Sequence, residues 1–223
     1  MIKAKALLAL GAAMSLSACN MVVSEKPWFD APSGAQLRDG LWANLQTANC
    51  KVEDTAPIAD WPECATPMLV TGTSYSGPPN GPNGRTAPPD KWQALPHVLV
   101  GGDPQIDQLL LEPNGEVSDP NAFGGKPIYL YLALRPAARD GEGRIIAAER
   151  WPVLCGPAPK APRQVNGKPV FTSEKPFKGI KAEGDACVAT DVDSLRGAAA
   201  ASEKVSLEAG FTKVYSRWVR DGI

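Results

Sequence analysis

His97 is the only histidine in the chain, and this limits the available chemistry. A Ser–His–Asp or Cys–His nucleophilic site has to recruit it, and a signature such as H-E-x-x-H cannot be written. His97 follows Pro96 and opens a valine-rich run, the setting of a satisfied residue at a strand end. Carboxylates offer no better start. Glu142 and Glu149 fall in a turn and on the strand after it, with no spacing that specifies a general acid and base. Asp191 and Asp193 lack the further oxygen ligands and the glycine of a calcium loop. They read more simply as the cap and first turn of a helix. The glycines form neither G-x-G-x-x-G nor G-x-x-x-x-G-K-[ST], so a nucleotide cradle has no support. No catalytic, cofactor-binding or metal-binding residue is assigned.

The five cysteines carry the rest of the chemistry. Zinc sites favour clustered pairs such as C-x2-C, whereas these stand at 19, 50, 64, 155 and 187, with one histidine to help. Cys19 is set apart by its neighbours. Lys3 and Lys5 precede an apolar run from Ala6 to Leu16, too short for a bilayer span of roughly 20 residues. The boundary Leu16-Ser17-Ala18-Cys19 resembles the lipobox of bacterial lipoproteins, the substrates of signal peptidase II; an ordinary signal peptide beside an incidental cysteine is the alternative. The resemblance implies a diacylglyceryl thioether on Cys19, removal of residues 1–18 and acylation of the new N-terminus. Several acyl chains on one residue make such an anchor permanent in practice. Asn20, where aspartate favours inner-membrane retention in enteric bacteria, implies the outer membrane, facing the periplasm. With Cys19 spent on lipid, Cys50, Cys64, Cys155 and Cys187 form an even set in an exported chain, which reads as two disulfides. Three pairings are open, and Cys50–Cys64 with Cys155–Cys187 joins sequence neighbours.

The elements that hold these residues read as mainly β. Residues 19–36 contain Pro27, Pro32 and Gly34 without periodicity and read as a lipidated tether. Within it, Trp28 and Phe29 either reach the membrane interface or pack back on the domain. One domain over 37–223 follows, long enough for a sizeable core. Leu41–Leu45 and Met68–Thr73 read as strands, and 74–90 as a long Pro/Gly loop. His97–Val100 and Ile106–Leu111 precede a tight turn at Asn114-Gly115. In Lys126–Arg135, Ile128, Leu130, Leu132 and Leu134 alternate onto one face, with Tyr129, Tyr131 and Ala133 on the other, so both faces are covered. Arg139–Gly143 reverses the chain and Arg144–Leu154 returns. A helix capped by Thr190 or Asp191 places Leu195, Ala198, Ala199, Ser202 and Val205 on one face, before a last strand over Phe211–Arg220.

Trp61-Pro62-Glu63-Cys64 and Trp151-Pro152-Val153-Leu154-Cys155 repeat a tryptophan–proline pair ahead of a cysteine. Each tryptophan shields a disulfide or offers a platform to a sugar or peptidoglycan strand. Together with Gly40-Leu41-Trp42, these segments resemble uncharacterised proteobacterial envelope lipoproteins, a likeness that carries no activity. The order of elements is similar to a lipocalin-like barrel, by analogy alone, because no lipocalin signature residues match. Net charge is -1, and it becomes more acidic without Lys3 and Lys5, which argues against nucleic acid as a partner. Lys160, Arg163, Lys168, Lys175, Lys178 and Lys181 form a basic stretch that is either a solvated loop or a contact for anionic envelope polymer.

The expected fold is a single antiparallel sheet or barrel-like domain with one late helix. The expected function is a lipid-anchored envelope protein, a non-catalytic binding or structural module with an envelope protein or polymer as partner. An envelope hydrolase using His97 or carboxylates, and a lipocalin-like carrier of an apolar ligand, are the alternatives. A deep apolar cavity inside the sheet favours a ligand; a filled interior with an exposed apolar patch favours a protein partner.

Overall fold

The computed structural model describes residues 20–47, 49–79, 87–112, 126–161, 163–165, 168–183, 186–208 and 213–223. The expected leader, Cys19 and the turn expected at Asn114-Gly115 lie outside these residues.

The chain enters the fold at once. Val23–Ser24 forms β1, while Met21 and Val22 make single bridges to Leu154 and Cys187. Asn20 and Val22 are buried. The segment expected as a tether is therefore part of the packed body over residues 20–36. Its valines supply β-branched apolar side chains, and the proline-rich part alone lacks a strand. That part still lies on the domain: the Trp28 and Phe29 N–H groups donate to Gln108 Oε1, and the Ser33 N–H donates to the Leu99 carbonyl. Trp28 and Phe29 pack against the domain.

Six strands follow in a meander: Gly40–Leu45 (β2), Ala65–Thr71 (β3), Ser74–Gly77 (β4), Gln93–Val100 (β5), Gln105–Leu111 (β6) and Ile128–Arg139 (β7). Ile145–Pro152 (β8) completes the hairpin anticipated at Arg139–Gly143, where Asp140 Oδ1 accepts from the Glu142 and Arg144 N–H groups. Ser74–Gly77, expected as loop, is a strand because the proline density starts only at Pro78. The β5 strand extends back through Pro96 to Gln93.

After β8 the chain leaves the sheet. Two small hairpins, Arg163–Val165 (β9) with Lys168–Val170 (β10) and Ile180–Glu183 (β11) with Ala186–Ala189 (β12), lead to one helix, Val192–Glu208 (α1). Asp191 caps it, its Oδ1 accepting from the Ser194 N–H at 2.7 Å. Leu195, Ala198, Ala199 and Ser202 are buried. The small residues let α1 approach the outside of the sheet, where the Trp151 indole donates to the Ala199 carbonyl and the Leu154 N–H to Ser202 Oγ.

The last strand, Val214–Arg220 (β13), pairs antiparallel with both β8 and β2. Since β7 also pairs with β8, the eight strands β2–β8 and β13 close into an antiparallel barrel, and β1 pairs with β7 at Tyr129 and Leu130, next to where the β8 ladder begins at Leu132. Closure removes the exposed strand edges of an open sheet. Gly40 sits at the seam with a φ of 127°, where a Cβ would stand 2.5 Å from the Arg220 carbonyl oxygen. The disulfides are Cys50–Cys64 and Cys155–Cys187. Both lie in clusters outside the barrel wall, the first with Trp61 and the second with Trp151, so each tryptophan packs as a shield.

Candidate ligand pocket

Strict alternation decides what faces the barrel interior, and the registers agree around the ring. Trp42 pairs with Met68 and Trp218, Asp107 with Leu132 and Leu99, and Leu134 with Arg150 and Gln105. An eight-stranded barrel is just wide enough to be filled by side chains or to hold one small ligand. This barrel does both, at opposite ends. At one end Trp42, Leu99, Leu134 and Ile145 are fully buried. The Trp42 indole donates to the Arg38 carbonyl, and the Arg38 guanidinium stacks 3.8 Å from the Trp218 ring centre.

At the other end the described residues leave inward side chains uncovered. Leu95 and Leu132 face inward yet stay only half-buried, and they line a cavity of about 400 Å³. The cavity reaches Asn44 but not Trp42, Met68 but not Val70, and Leu132 but not Leu134. Its wall is apolar, with Leu95, Leu109, Leu132 and Met68, and its rim carries Asn44, Thr66 and Gln93.

Arg150 and Tyr75 form the floor. Below them, out of contact with the cavity, lie Asp107 and His97. The Tyr75 hydroxyl donates to Asp107 Oδ2 at 2.5 Å and accepts from Arg150 Nη2 at 3.3 Å. His97 Nδ1 lies 2.9 Å from Asp107 Oδ1 and donates to that carboxylate oxygen. The Tyr75 and His97 rings stack at 3.9 Å between centres. Burial pushes the Tyr75 phenol well above its ordinary pKa; Arg150 opposes this and Asp107 adds to it. Tyr75 is therefore a fixed, neutral relay between a cation and a carboxylate. Two buried nitrogens in the cluster, Arg150 Nε and His97 Nε2, have no hydrogen-bond partner among the described residues.

No family model, curated protein or solved structure matches this chain. The pocket must therefore be read from its own chemistry.

His97, expected as a satisfied residue at a strand end, lies inside the barrel, with Nδ1 bonded to Asp107 and the buried Nε2 without a partner among the described residues. The His–Asp pair has no hydroxyl or thiol hydrogen-bonded to Nε2 among the described residues, and neither partner reaches the cavity. Glu149 pairs with Lys213 on the outside of the barrel, and Glu142 pairs with Arg144 in the turn. Asp191 acts as a helix cap. Among the described residues, no three His, Cys, Asp or Glu side chains group to hold a metal ion, and no helix is long and apolar enough to cross a membrane. Sequence reasoning missed Arg150, Tyr75 and Asp107. One signal was present: Ala148, Arg150 and Pro152 share a face of β8, so a covered β8 places an arginine inside.

Proposed function

We propose that this chain is a lipid-anchored protein of the bacterial envelope whose barrel is a lipocalin-like binding module for a small, largely apolar ligand. The observation that carries the ligand reading is the apolar wall that the described residues leave uncovered at one end of an otherwise filled barrel. A pocket of this size lies within the ordinary range of about 300–1,000 Å³ for small-molecule sites. The anchor is supported by the basic start, the short apolar run and Leu16-Ser17-Ala18-Cys19. Two disulfides fit an exported chain.

The ligand reading is tested with N-phenyl-1-naphthylamine, a neutral apolar dye that fluoresces when desolvated. One saturable site is expected in the wild-type protein. Leu132→Trp, which fills the cavity from its wall, should weaken dye binding at least about tenfold while far-UV circular dichroism stays unchanged. Equal dye binding by the folded variant refutes the pocket. Cys19→Ser should abolish processing and release or mislocalise the protein. Unchanged membrane fractionation and processing refute the anchor.

A further inference from the structure

We infer that the pocket is built for a singly charged carboxylate amphiphile, held with its carboxylate inward on Arg150. The inference rests on the ligand reading above and names the chemistry of the ligand.

Arg150 is only 6% exposed and forms the inner end of the cavity. A desolvated guanidinium needs a partner, because moving a charge out of water costs several kcal/mol even after relaxation. Among the described residues no carboxylate stands within ion-pair distance of Arg150. Its contacts are the Tyr75 oxygen at 3.3 Å, the Tyr75 ring, whose centre lies 4.8 Å from Cζ, and the Met68 thioether at 3.9 Å, and among the described residues its Nε–H donates to nothing. Nη1 and Nη2 each keep one hydrogen beyond these contacts, so part of the five-donor fork is unspent at the bottom of an apolar cup.

Tyr75 fixes the polarity of the ligand atom that fits there. Its proton is committed to Asp107 and its oxygen already accepts from Arg150, so the floor offers donors from the guanidinium and no free acceptor. A ligand group that accepts without donating is required, and a carboxylate meets the fork bidentately. The charge is set by the same cluster. One guanidinium already shares the floor region with the buried Asp107 carboxylate through Tyr75. Arg150 and Asp107 balance each other, so a monoanion adds one negative charge to the floor and a doubly charged phosphate ester adds two, which in low dielectric makes the singly charged head the less costly of the two.

The shape of the ligand follows from the registers. On β3, β5 and β8 the cavity spans two successive inward residues: Thr66 and Met68, Gln93 and Leu95, Arg150 and Pro152. Two inward residues lie about 7 Å apart along a strand. A compact chain or ring against Leu95, Leu109 and Leu132 fits that depth, with the remainder of the ligand emerging past Asn44 and Gln93.

The experiment compares decanoate with decan-1-ol, which share a chain and differ at the head, by displacement of N-phenyl-1-naphthylamine and by calorimetry. Decanoate should bind the wild-type protein at least about tenfold more tightly, the scale of one charge-assisted hydrogen bond. Arg150→Met should abolish that preference, read as the ratio of the acid's affinity to the alcohol's in the same folded variant. Equal affinity for acid and alcohol in the wild type, or a preference that survives Arg150→Met, overturns the inference and leaves the apolar pocket standing. Failure of the dye, the acid and the alcohol alike overturns the ligand reading itself. A second measurement needs no variant. The carboxyl ¹³C shift of bound [1-¹³C]decanoate should titrate at lower pH than that of free decanoate. Titration at or above the free value also overturns the inference.

Discussion

Asn20 offers the sharpest test of how the N-terminal segment is held. Its Nδ2 donates to the Gly156 carbonyl at 3.0 Å, its Oδ1 accepts from the Ser173 N–H at 2.9 Å, and its own carbonyl accepts from the Cys155 N–H at 2.8 Å. The side chain and Ser173 are both buried. Asn20→Ala removes two hydrogen bonds and strands a carbonyl and an amide. At about 1 kcal/mol per bond plus a desolvation penalty partly relieved by entering water, the expected loss is about 2–4 kcal/mol. With a urea m-value of about 2 kcal/mol/M, the unfolding midpoint should fall by about 1–2 M. Asn20→Asp is more informative still. It keeps the acceptor for Ser173 but faces a carboxylate oxygen towards the Gly156 carbonyl. At neutral pH it should cost at least as much as alanine. The folded state then disfavours the ionised form, so the deficit should shrink as pH falls towards about 4 and the carboxyl regains a donor. A loss below about 0.5 kcal/mol for Asn20→Ala, or an Asn20→Asp deficit identical at pH 4 and pH 7, would refute this account. An aspartate introduced here to redirect sorting therefore also perturbs the fold, and localisation results need a folding control.

Two further outcomes follow from the same structure. Removing Cys155–Cys187 by double alanine substitution should cost about 4 kcal/mol by loop closure, against about 3 for Cys50–Cys64, in denaturant unfolding. It should also speed hydrogen exchange at residues 20–24, since Val22 bridges Cys187; unchanged exchange there would contradict the coupling. The Tyr131 phenol is pushed up to about 12 by burial, against the opposing hydrogen bond with Ser24. Between pH 10 and 12 the unfolded chain releases this proton and the folded one retains it, so stability falls with rising pH by up to about 1.4 kcal/mol per unit. Tyr131→Phe should flatten that alkaline limb in unfolding titrations, and an unchanged slope would remove Tyr131 from the explanation.

Much of the barrel wall was legible because period-two alternation is a local signal. Leu130, Leu132 and Leu134 could be placed on one face without knowing what that face meets, and α1 was visible from its cap and alanine face. A barrel-like domain was one of the two forms expected, but the strand pairing that closes the ring was not legible. The pairing of β13 with β2 joins Ser216 to Asn44, and nothing in either strand's own pattern names its partner. β1 was hidden by the prolines that follow it, and β4 by those after Gly77. The floor of the pocket was obscured for a different reason. Arginine, aspartate and tyrosine on alternating strands ordinarily mark a solvated face. Only closure of the sheet turns Arg150, Asp107 and Tyr75 inward, so their chemistry appears once the topology is known.

The pinned start of the chain also bears on how a ligand would arrive. Asn20 is bonded to Cys155, which lies three residues beyond Pro152 on the cavity wall, at most about 11 Å along the backbone. With the acyl anchor proposed for Cys19, the bilayer attachment and the cavity are neighbours, and no slack chain separates them. A flexible 16-residue leash would instead let the barrel wander by about 20–25 Å. For a ten-carbon chain, full exposure to water costs about 8 kcal/mol at 0.8 per methylene, a barrier that dominates any route through solution. An opening kept beside the acyl chains shortens that wet interval, so loading would be governed by partitioning out of the membrane rather than by diffusion through the periplasm.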